Sequence, residues 1–509
     1  MKFIKGQNRA QLSLFAVSLD QSIDQDNEVR LIDLLVDSLD LSSFGFKSDF
    51  GENGRPAYHP ADLLKLFIYG YLNRIRSSRA LEKEGRRNIE VMWLLRMLTP
   101  DHNTIANFRK DNPKAIKKVF RATVQLAKHF ELIGGNLIAG DSTKMRAQNS
   151  KKNNFNEKKI ERHVAYIDAK VEEYTSLLAA EDGDAGEKQW AVKKIQKHLE
   201  QKDKYLALKQ ELEQSTEVQI STSDPDSRQL ITRNHITEVA YNIQATVDDK
   251  HNIPIDFKVT NKNDSKAMGE MVRRAKTVLG HSNFTALYDK GYHTGTEFDY
   301  AFKQGVEVMV AFPQVSSHAP DLAFDVEYFN YDQQTDQYTC PAGQRLTTNG
   351  RWYNKRSRNT INRVKHYKTK ACLTCPLFEQ CTKNKAGRLI ERSEHMDLID
   401  ANKRRIQDKK ELYRRRQSIV EHPFGIIKRQ WGFYYIMTKK TIKHAGADVG
   451  LIFTAFNLRR IFNIINPKDF KTRLKELITT FCAIFCCFKP LGNPVTHNQL
   501  INNYLPRAA

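Results

Sequence analysis

The sequence predicts an α/β protein in which a mixed sheet with helices follows an all-helical N-terminal domain and is interrupted by two insertions. Apolar residues recur at helical spacing through residues 1–125. Strand-like apolar runs alternate with helical segments over residues 126–465. Two stretches, 150–215 and 325–400, differ in composition from their surroundings, and each is predicted to be an insertion.

The charge of the chain favours a nucleic-acid partner. Its 509 residues contain 81 Lys+Arg against 59 Asp+Glu, a formal net charge of +22. Basic side chains that neutralise phosphates release condensed counterions, which drives association with DNA or RNA. A soluble protein that is merely basic is the weaker interpretation.

Cysteine usage and hydropathy indicate a reducing, cytoplasmic location. Seven cysteines in 509 residues form no disulfide framework, and their number is odd. The first ten residues lack the apolar core of a signal peptide. The most apolar stretch of the tail, Leu477–Phe488, is shorter than the roughly 20 residues that span a bilayer. We therefore expect no membrane partner.

Residues 1–125 are predicted to form a helical DNA-binding domain. Pro60 stands near the first position of a helix with an apolar stripe from Leu63 to Tyr71, and Asp101 can cap a short helix through Arg109. Short helices rich in arginine are typical of helix-turn-helix-like DNA readers. An ordinary bundle with a solvated basic face gives the same pattern, so both interpretations stay open.

The first insertion is predicted to be a helical arm. Lys, Glu and Gln dominate residues 150–215, and apolar residues such as Ile160, Val164 and Ile167 recur three and four apart, with a turn at 181–186. This pattern indicates a long helix or a helical hairpin. The arm either packs and dimerises or clamps DNA, and we favour packing.

The remaining elements complete the α/β layer. The runs 239–247 and 253–259 suit a hairpin, and 284–289 and 306–312 read as further strands. Helices are expected over 119–132 and 264–279, from Thr294, as one long basic helix over 401–420, and over 445–462. The tail, 466–509, carries no periodic pattern.

Three acidic residues predict a metal site for phosphodiester chemistry. Asp141 and Asp289 each end a strand-like run, and Glu421 lies in a basic segment. Two divalent ions about 4 Å apart can activate the nucleophile and stabilise the leaving oxygen, and Mg²⁺ prefers oxygen ligands. Aspartates at the ends of neighbouring strands suit this because strands lie about 4.8 Å apart. Singly, each acid could be a turn or ion-pair residue.

Several short motifs, each occurring once, follow one another between roughly residues 40 and 465. They are Gly54-Arg55-Pro56 with His59-Pro60, Gly140-Asp141-Ser142-Thr143-Lys144, Tyr241-Asn242-Ile243-Gln244, Asp289-Lys290-Gly291-Tyr292, Val420-Glu421-His422-Pro423-Phe424-Gly425 with Lys428, and Phe456-Asn457-Leu458-Arg459-Arg460. In their order and number they resemble a bacterial insertion-sequence transposase of the DDE type.

The resemblance implies an RNase H-like catalytic domain in which Asp141, Asp289 and Glu421 bind Mg²⁺ or Mn²⁺. It also implies that a tyrosine, an arginine and a lysine near the glutamate contact DNA, for which Tyr413, Arg416 and Lys428 are the candidates. Lys428 follows Glu421 by seven residues, on the same helical face. Pro423 disfavours a straight helix through Glu421, so a break or kink is expected there.

The function implied by the resemblance is DNA transposition. Such an enzyme binds the terminal inverted repeats of its element, cleaves the ends and joins the 3′-hydroxyls to target DNA. We expect a homodimer, because two ends must be brought together, and a nucleoid-associated protein in the bacterial cytoplasm. A catalytically inactive transposase-derived DNA-binding protein and a nuclease without strand transfer are the alternatives.

The second insertion contains four of the cysteines. Cys372 and Cys375 form a C-x2-C pair, flanked by Cys340 and Cys381. Four thiolates can bind a structural Zn²⁺, and a buried cluster of reduced thiols is the other interpretation. In the adjoining basic loop, 351–358, we expect Arg351, Trp352 and Arg356 to grip DNA by stacking and phosphate contacts. A solvated loop is the alternative.

Overall fold

The computed structural model describes residues 18–46, 56–179, 185–215, 217–233, 236–313, 319–357 and 360–481. Some sequence predictions fall outside these ranges. These are the motif residues Gly54 and Arg55, most of the turn predicted for the arm, Arg358 of the basic loop, and the tail from residue 482 onward.

The N-terminal part is helical, as predicted. Pro60 is the first residue of its helix, and the Asp101 side chain accepts hydrogen bonds from the backbone N–H groups of Asn103 and Thr104. The helices are α1 (Glu28–Ser38), α2 (Leu41–Phe44), α3 (Pro60–Leu72), α4 (Ser78–Arg87), α5 (Ile89–Leu94), α6 (His102–Asp111) and α7 (Pro113–His129).

The next part of the chain alternates strands and helices. Its elements are β1 (Leu137–Arg146), β2 (Asn154–Phe155), α8 (Glu157–Ala179), α9 (Ala185–Gln214), β3 (Ile220–Ser221), β4 (Arg228–Arg233), β5 (Ile236–Asp248), β6 (Ile253–Thr260), α10 (Met268–Leu279), β7 (Thr285–Tyr288), α11 (Gly295–Lys303) and β8 (Glu307–Val310). The predicted hairpin is the antiparallel pair of β5 and β6.

A six-stranded mixed sheet forms the first of the two larger sheets, and β1 is central to it. Its order is β4-β5-β1-β7-β8, and β6 also pairs with β5. β1 runs antiparallel to β5 and parallel to β7, which is parallel to β8. This mixed α/β arrangement agrees with the RNase H-like fold that the resemblance implied.

The helical insertion is the pair α8 and α9. Phe155, Ile160, Leu212 and Ile220 form a small apolar cluster at its base, next to the two-stranded sheet of β2 and β3. Farther along, Trp190 remains 50% exposed. The insertion therefore has a core of its own where it joins the sheet.

The cysteine-containing insertion forms a second, antiparallel sheet in the order β13-β12-β11-β10-β9. Its elements are β9 (Asn330–Asp332), β10 (Gln337–Thr339), β11 (Arg345–Ser357), β12 (Thr360–Lys368), α12 (Phe378–Cys381) and β13 (Ile390–Ser393). The predicted basic loop is wrong for Arg351, Trp352 and Arg356. They lie in β11, because β12 supplies partners for its backbone. Lys365 lies opposite Trp352, and Ile361 lies opposite Arg356.

The predicted long basic helix is also wrong, because the helix breaks at Lys409. The C-terminal helices are α13 (Met396–Asp408), α14 (Lys410–Gly425), α15 (Ile442–Ile464) and α16 (Pro467–Phe481). α14 continues through Glu421 and Pro423, and a π-helical turn, Ile426–Gln430, follows it. Pro423 lacks the N–H that would bond the carbonyl of Ile419, and the irregularity appears after the proline rather than at Glu421.

The first part of the tail is a helix, contrary to the expectation that no periodic pattern follows residue 466. Phe470, Leu474 and Leu477 are buried on one face of α16. The Phe470 ring meets Phe130 at 5.6 Å and Phe462 at 5.3 Å between centroids. These residues recur at spacings of four and three, so the pattern was present but short.

Helix α15 joins the N-terminal helices to the sheet. Its buried Asp448 pairs with Arg76 at 2.5 Å and with Arg109 at 3.6 Å, and it accepts a hydrogen bond from the Tyr71 hydroxyl. Burial opposes ionisation, yet the two arginines hold the pKa of Asp448 below its usual value. Although α15 is long and largely buried, no helix within the described ranges is long and apolar enough to cross a membrane.

Candidate active site

Strand pairing brings two of the predicted acids side by side. Asp141 lies within β1, opposite Ala245 of β5, and not at the strand end as predicted, because β5 pairs with β1 as far as Arg146. On its other side β1 pairs with β7 only up to Ala139 opposite Leu287. Asp289 directly follows β7, two residues beyond the last paired residue, and it is close enough to Asp141 for its charge to raise the pKa of Asp141.

Two glycines make this close approach possible. A Cβ on Gly140 would lie 2.0 Å from the ring of Tyr288, the buried residue before Asp289. A Cβ on Gly291 would lie 2.9 Å from Oδ1 of Asp289, which accepts the Gly291 N–H. A side chain at position 140 would thus clash with Tyr288, and one at position 291 would press on the Asp289 carboxylate.

The Asp141 carboxylate is held by two donors. The N–H of Ser142 donates to Oδ1 at 2.7 Å, and Nη1 of Arg416 donates to Oδ2 at 3.2 Å. Burial raises the pKa of Asp141 to about 6, with Asp289 and Asp264 adding to the rise, while Ser142 and Arg416 oppose it. Nearby negative charges that disfavour ionisation are relieved by a bound cation.

Helix α14 covers this end of the sheet. Its Ile419 and Val420 pack in one apolar cluster with residues of β1, β5, β7 and β8. The Tyr413 hydroxyl donates to the carbonyl of Tyr288 at 2.9 Å. The helix therefore contacts Asp141 of β1 through Arg416 and the end of β7, just before Asp289, through Tyr413.

The structure does not join Glu421 to the two aspartates. Glu421 is exposed on α14 and accepts a hydrogen bond from Nε2 of Gln417 at 2.8 Å. Across the described residues, no hydrogen bond or ion pair links it to Asp141 or Asp289. Lys428 lies in the π-helical turn, where its Nζ donates to the carbonyl of Lys144 in β1 at 2.8 Å.

A fourth acid, Asp264, was missed by sequence reasoning. Its Oδ1 accepts from Asn242 at 2.7 Å and from Gln244 at 2.6 Å, and its Oδ2 accepts from Lys144 at 3.2 Å. Burial would raise the pKa of Asp264, but Lys144 and the amide donors hold it below its usual value. Asp264 follows an apolar strand, as Asp289 does, and that position was the available signal.

The predicted DNA-gripping residues lie on the second sheet. Trp352 is 40% exposed, and Arg351 and Arg356 are exposed beside it on β11. Arg363 and Lys365 of β12 place their cationic groups 5.5 and 5.2 Å from the centre of the Trp352 ring. The cluster is a basic surface with an aromatic centre.

The four predicted zinc ligands also share one region. Cys340, Cys372, Cys375 and Cys381 are free thiols around a single cavity of the second sheet. As the described side chains are placed, no group of three or more His, Cys, Asp or Glu stands close enough to hold a metal ion, either at these cysteines or at the acids.

Two stretches of the chain match known protein families. Residues 17–111 match the family described as transposase domain (DUF772), and residues 339–462 match the family described as transposase DDE domain, which includes Glu421 and the four cysteines. No curated protein and no solved structure matches the chain. The matches lie on either side of the two aspartates, and together they support an insertion-sequence transposase of the DDE type.

Proposed function

We propose that this DNA transposase binds the terminal inverted repeats of its element, cleaves the DNA at the ends and joins the 3′-hydroxyls to target DNA. The observation that carries the proposal is the position of Asp141 in β1 and of Asp289 just after the neighbouring strand β7, in a chain with two transposase family matches. Two copies would act together, since two ends must be joined to one target.

We assign the metal ligands to Asp141, Asp289 and Glu421. Carboxylate oxygens are the ligands that Mg²⁺ and Mn²⁺ prefer, and burial, with a smaller contribution from the charges of Asp289 and Asp264, raises the pKa of Asp141. Bound ions would activate the attacking oxygen and stabilise the leaving one. The exposed Glu421 lies two turns along α14 from Tyr413 and is the member that the family match covers.

The chain's own donors would orient the acids. Backbone N–H groups of Ser142 and Gly291 fix one oxygen of each aspartate, which leaves the other oxygen for a cation or for Arg416. Tyr413 ties α14 to the end of β7. We further propose that Arg416, Tyr413 and Lys428 contact the DNA backbone next to the acids.

The test is cleavage of DNA carrying the inverted repeats that flank the gene, with Mg²⁺ or Mn²⁺. Wild type should nick at the repeat ends and join them to a target plasmid, and Asp141→Ala should do neither. Asp249→Ala is the matched control, since this acid pairs with Arg415 of the same helix at 2.6 Å. Binding without cutting under either metal would favour the inactive DNA-binding alternative, and cutting without joining would favour a nuclease.

A further inference from the structure

Four cysteines far apart in sequence meet at one small cavity in the second sheet. Cys340 follows β10, Cys372 and Cys375 lie in and after a 3₁₀ turn, and Cys381 ends α12. All four are half-buried free thiols, and the cavity between them measures about 30 Å³. Three separate segments therefore present thiols to one space large enough for a single ion.

The backbone around the first cysteine forms a tight turn that donates a hydrogen bond to its sulfur. The N–H of Gln344 donates to Sγ of Cys340 at 3.2 Å, and the N–H of Gly343 donates to the Cys340 carbonyl at 2.9 Å. Gly343 has φ +75°, which the tight turn requires.

A second turn fixes the C-x2-C pair. The N–H of Cys375 donates to the carbonyl of Cys372 at 3.2 Å. Gly387, with φ +93°, lies against this turn, and a Cβ there would be 2.8 Å from Cβ of Cys372. The backbone at Gly387 therefore packs directly against Cys372, and the turn that carries Cys372 and Cys375 borders the cavity.

A buried arginine adds positive charge at the same place. Arg388 is 6% exposed, and its Nη1 donates to the carbonyl of Cys381 at 3.3 Å. Four thiolates around a dication carry a net charge of −2, which a neighbouring guanidinium partly balances.

The second sheet has little apolar material to stabilise it. Its buried cluster consists of Phe329, Tyr338, Leu346, Tyr367 and Ile390, with Cys340 and Cys381 packed at its edge. Structural units with small cores are commonly stabilised by disulfides, a bound metal or association with another chain. The four free thiols make a bound metal the device that these residues can supply.

We propose that Cys340, Cys372, Cys375 and Cys381 bind one Zn²⁺ as a closed, tetrahedral structural site. The four cysteines line the cavity, but their sulfurs do not form a group that could hold an ion as they stand. Metal binding therefore requires the cysteine side chains to turn toward the centre of the cavity by a change of rotamer. On binding, each thiol loses its proton to solvent and becomes a thiolate ligand, and no oxidation is involved.

The test begins with the metal content of full-length protein purified from zinc-supplemented cells without chelator. We expect about one zinc per chain, a near-complete loss in Cys375→Ser, and full retention in a variant with Cys482, Cys486 and Cys487 all changed to Ser. Iron in place of zinc, or zinc loss in the tail variant as large as in Cys375→Ser, would overturn the proposal.

A second measurement covers the case in which Cys375→Ser fails to fold. Cobalt exchanged into wild type should give thiolate-to-metal absorption bands, and thiol titration of the native protein should show four cysteines protected until a chelator is added. Chelation should also increase proteolysis within residues 319–393. Absence of the cobalt bands together with four freely reactive thiols would overturn the proposal, whether or not the protein cleaves DNA.

Discussion

The six-stranded sheet holds its two aspartates half-buried beneath a covering helix, whereas the five-stranded sheet presents its tryptophan and arginines to solvent. In the first, Asp141 is fixed by Ser142 and Arg416, and glycine is required where the strands meet. In the second, Trp352 is 40% exposed between basic side chains. The difference suggests a division of labour, with chemistry in the first sheet and DNA contact on the second.

The largest expected effect comes from Glu421→Gln. A catalytic metal ion stabilises the charge of the transition state by several kcal/mol, and each 1.36 kcal/mol is a factor of ten in rate. We therefore expect single-turnover cleavage to fall about 10²- to 10³-fold, with DNA affinity unchanged in an anisotropy assay. Gln417→Ala removes only the hydrogen bond to Glu421 and should cut normally. Equal losses in both variants would mean that the helix surface matters rather than the acid.

Asp264→Asn tests whether the fourth acid supports the site. Hydrogen bonds to charged groups contribute about 1.5–3 kcal/mol, so loss of the Lys144 pair should slow cleavage at saturating DNA about 10- to 100-fold. The control is Glu270→Gln. It breaks the pair between Glu270 of α10 and Lys258 of β6, and the variant should cut at the wild-type rate. An unchanged rate in Asp264→Asn would confine this acid to a structural role.

Gly140→Ala tests the strand contact itself. The added methyl would lie 2.0 Å from the Tyr288 ring, and overpacking of this kind costs about 1–3 kcal/mol. Chemical denaturation should show that loss in the free energy of unfolding. Gly446→Ala in α15 has no heavy atom within 4 Å of its new methyl and should gain up to about 1 kcal/mol. A stable Gly140→Ala would place the two acids farther apart than the register indicates.

Trp352→Ala should weaken DNA binding and leave chemistry intact. Stacking of a base on an aromatic ring contributes about 1–3 kcal/mol, so affinity should fall in proportion while cleavage at saturating DNA stays constant. Trp190→Ala is the matched control, because this exposed tryptophan also lies near a lysine, Lys194, at 5.3 Å. If Trp190→Ala weakens binding equally, the helical arm is a DNA clamp.

The smallest effect is expected from Arg351→Ala. One lost phosphate contact should reduce the slope of log affinity against log salt by about 1. Lys355 already pairs with Glu391 across the sheet, so Lys355→Ala should change the slope less. The measurement is DNA affinity at a series of salt concentrations, and an unchanged slope for Arg351→Ala would remove β11 from the DNA interface.

Local patterns were enough to predict most elements of the first sheet. Alternating apolar runs located β5, β6 and β7, and capping residues located α3 and α6. The extension of β1 beyond Asp141 depends on pairing with β5, a non-local contact that the sequence of β1 does not encode. The break at Lys409 separates two helical stretches of similar composition, so periodicity alone could not find it.

The site was predicted less completely than the fold. Motifs indicated Asp141 and Asp289, but Asp264 depends on amide and lysine side chains from β1 and β5 that only the folded sheet brings together. Tyr413 and Arg416 were indicated by the resemblance, and the structure places them against Tyr288 and Asp141. Their roles toward DNA stay predictions.

The central claim is that the first sheet holds a catalytic divalent ion, and direct Mn²⁺ binding tests it. Titration calorimetry would compare wild type with the double variant Asp141→Asn, Asp289→Asn, both with the cysteine region loaded with zinc. We expect wild type to bind Mn²⁺ and the double variant not to bind it. The thermal stability of the double variant should equal or exceed that of wild type. Equal Mn²⁺ binding by the two proteins would contradict the assignment of these aspartates.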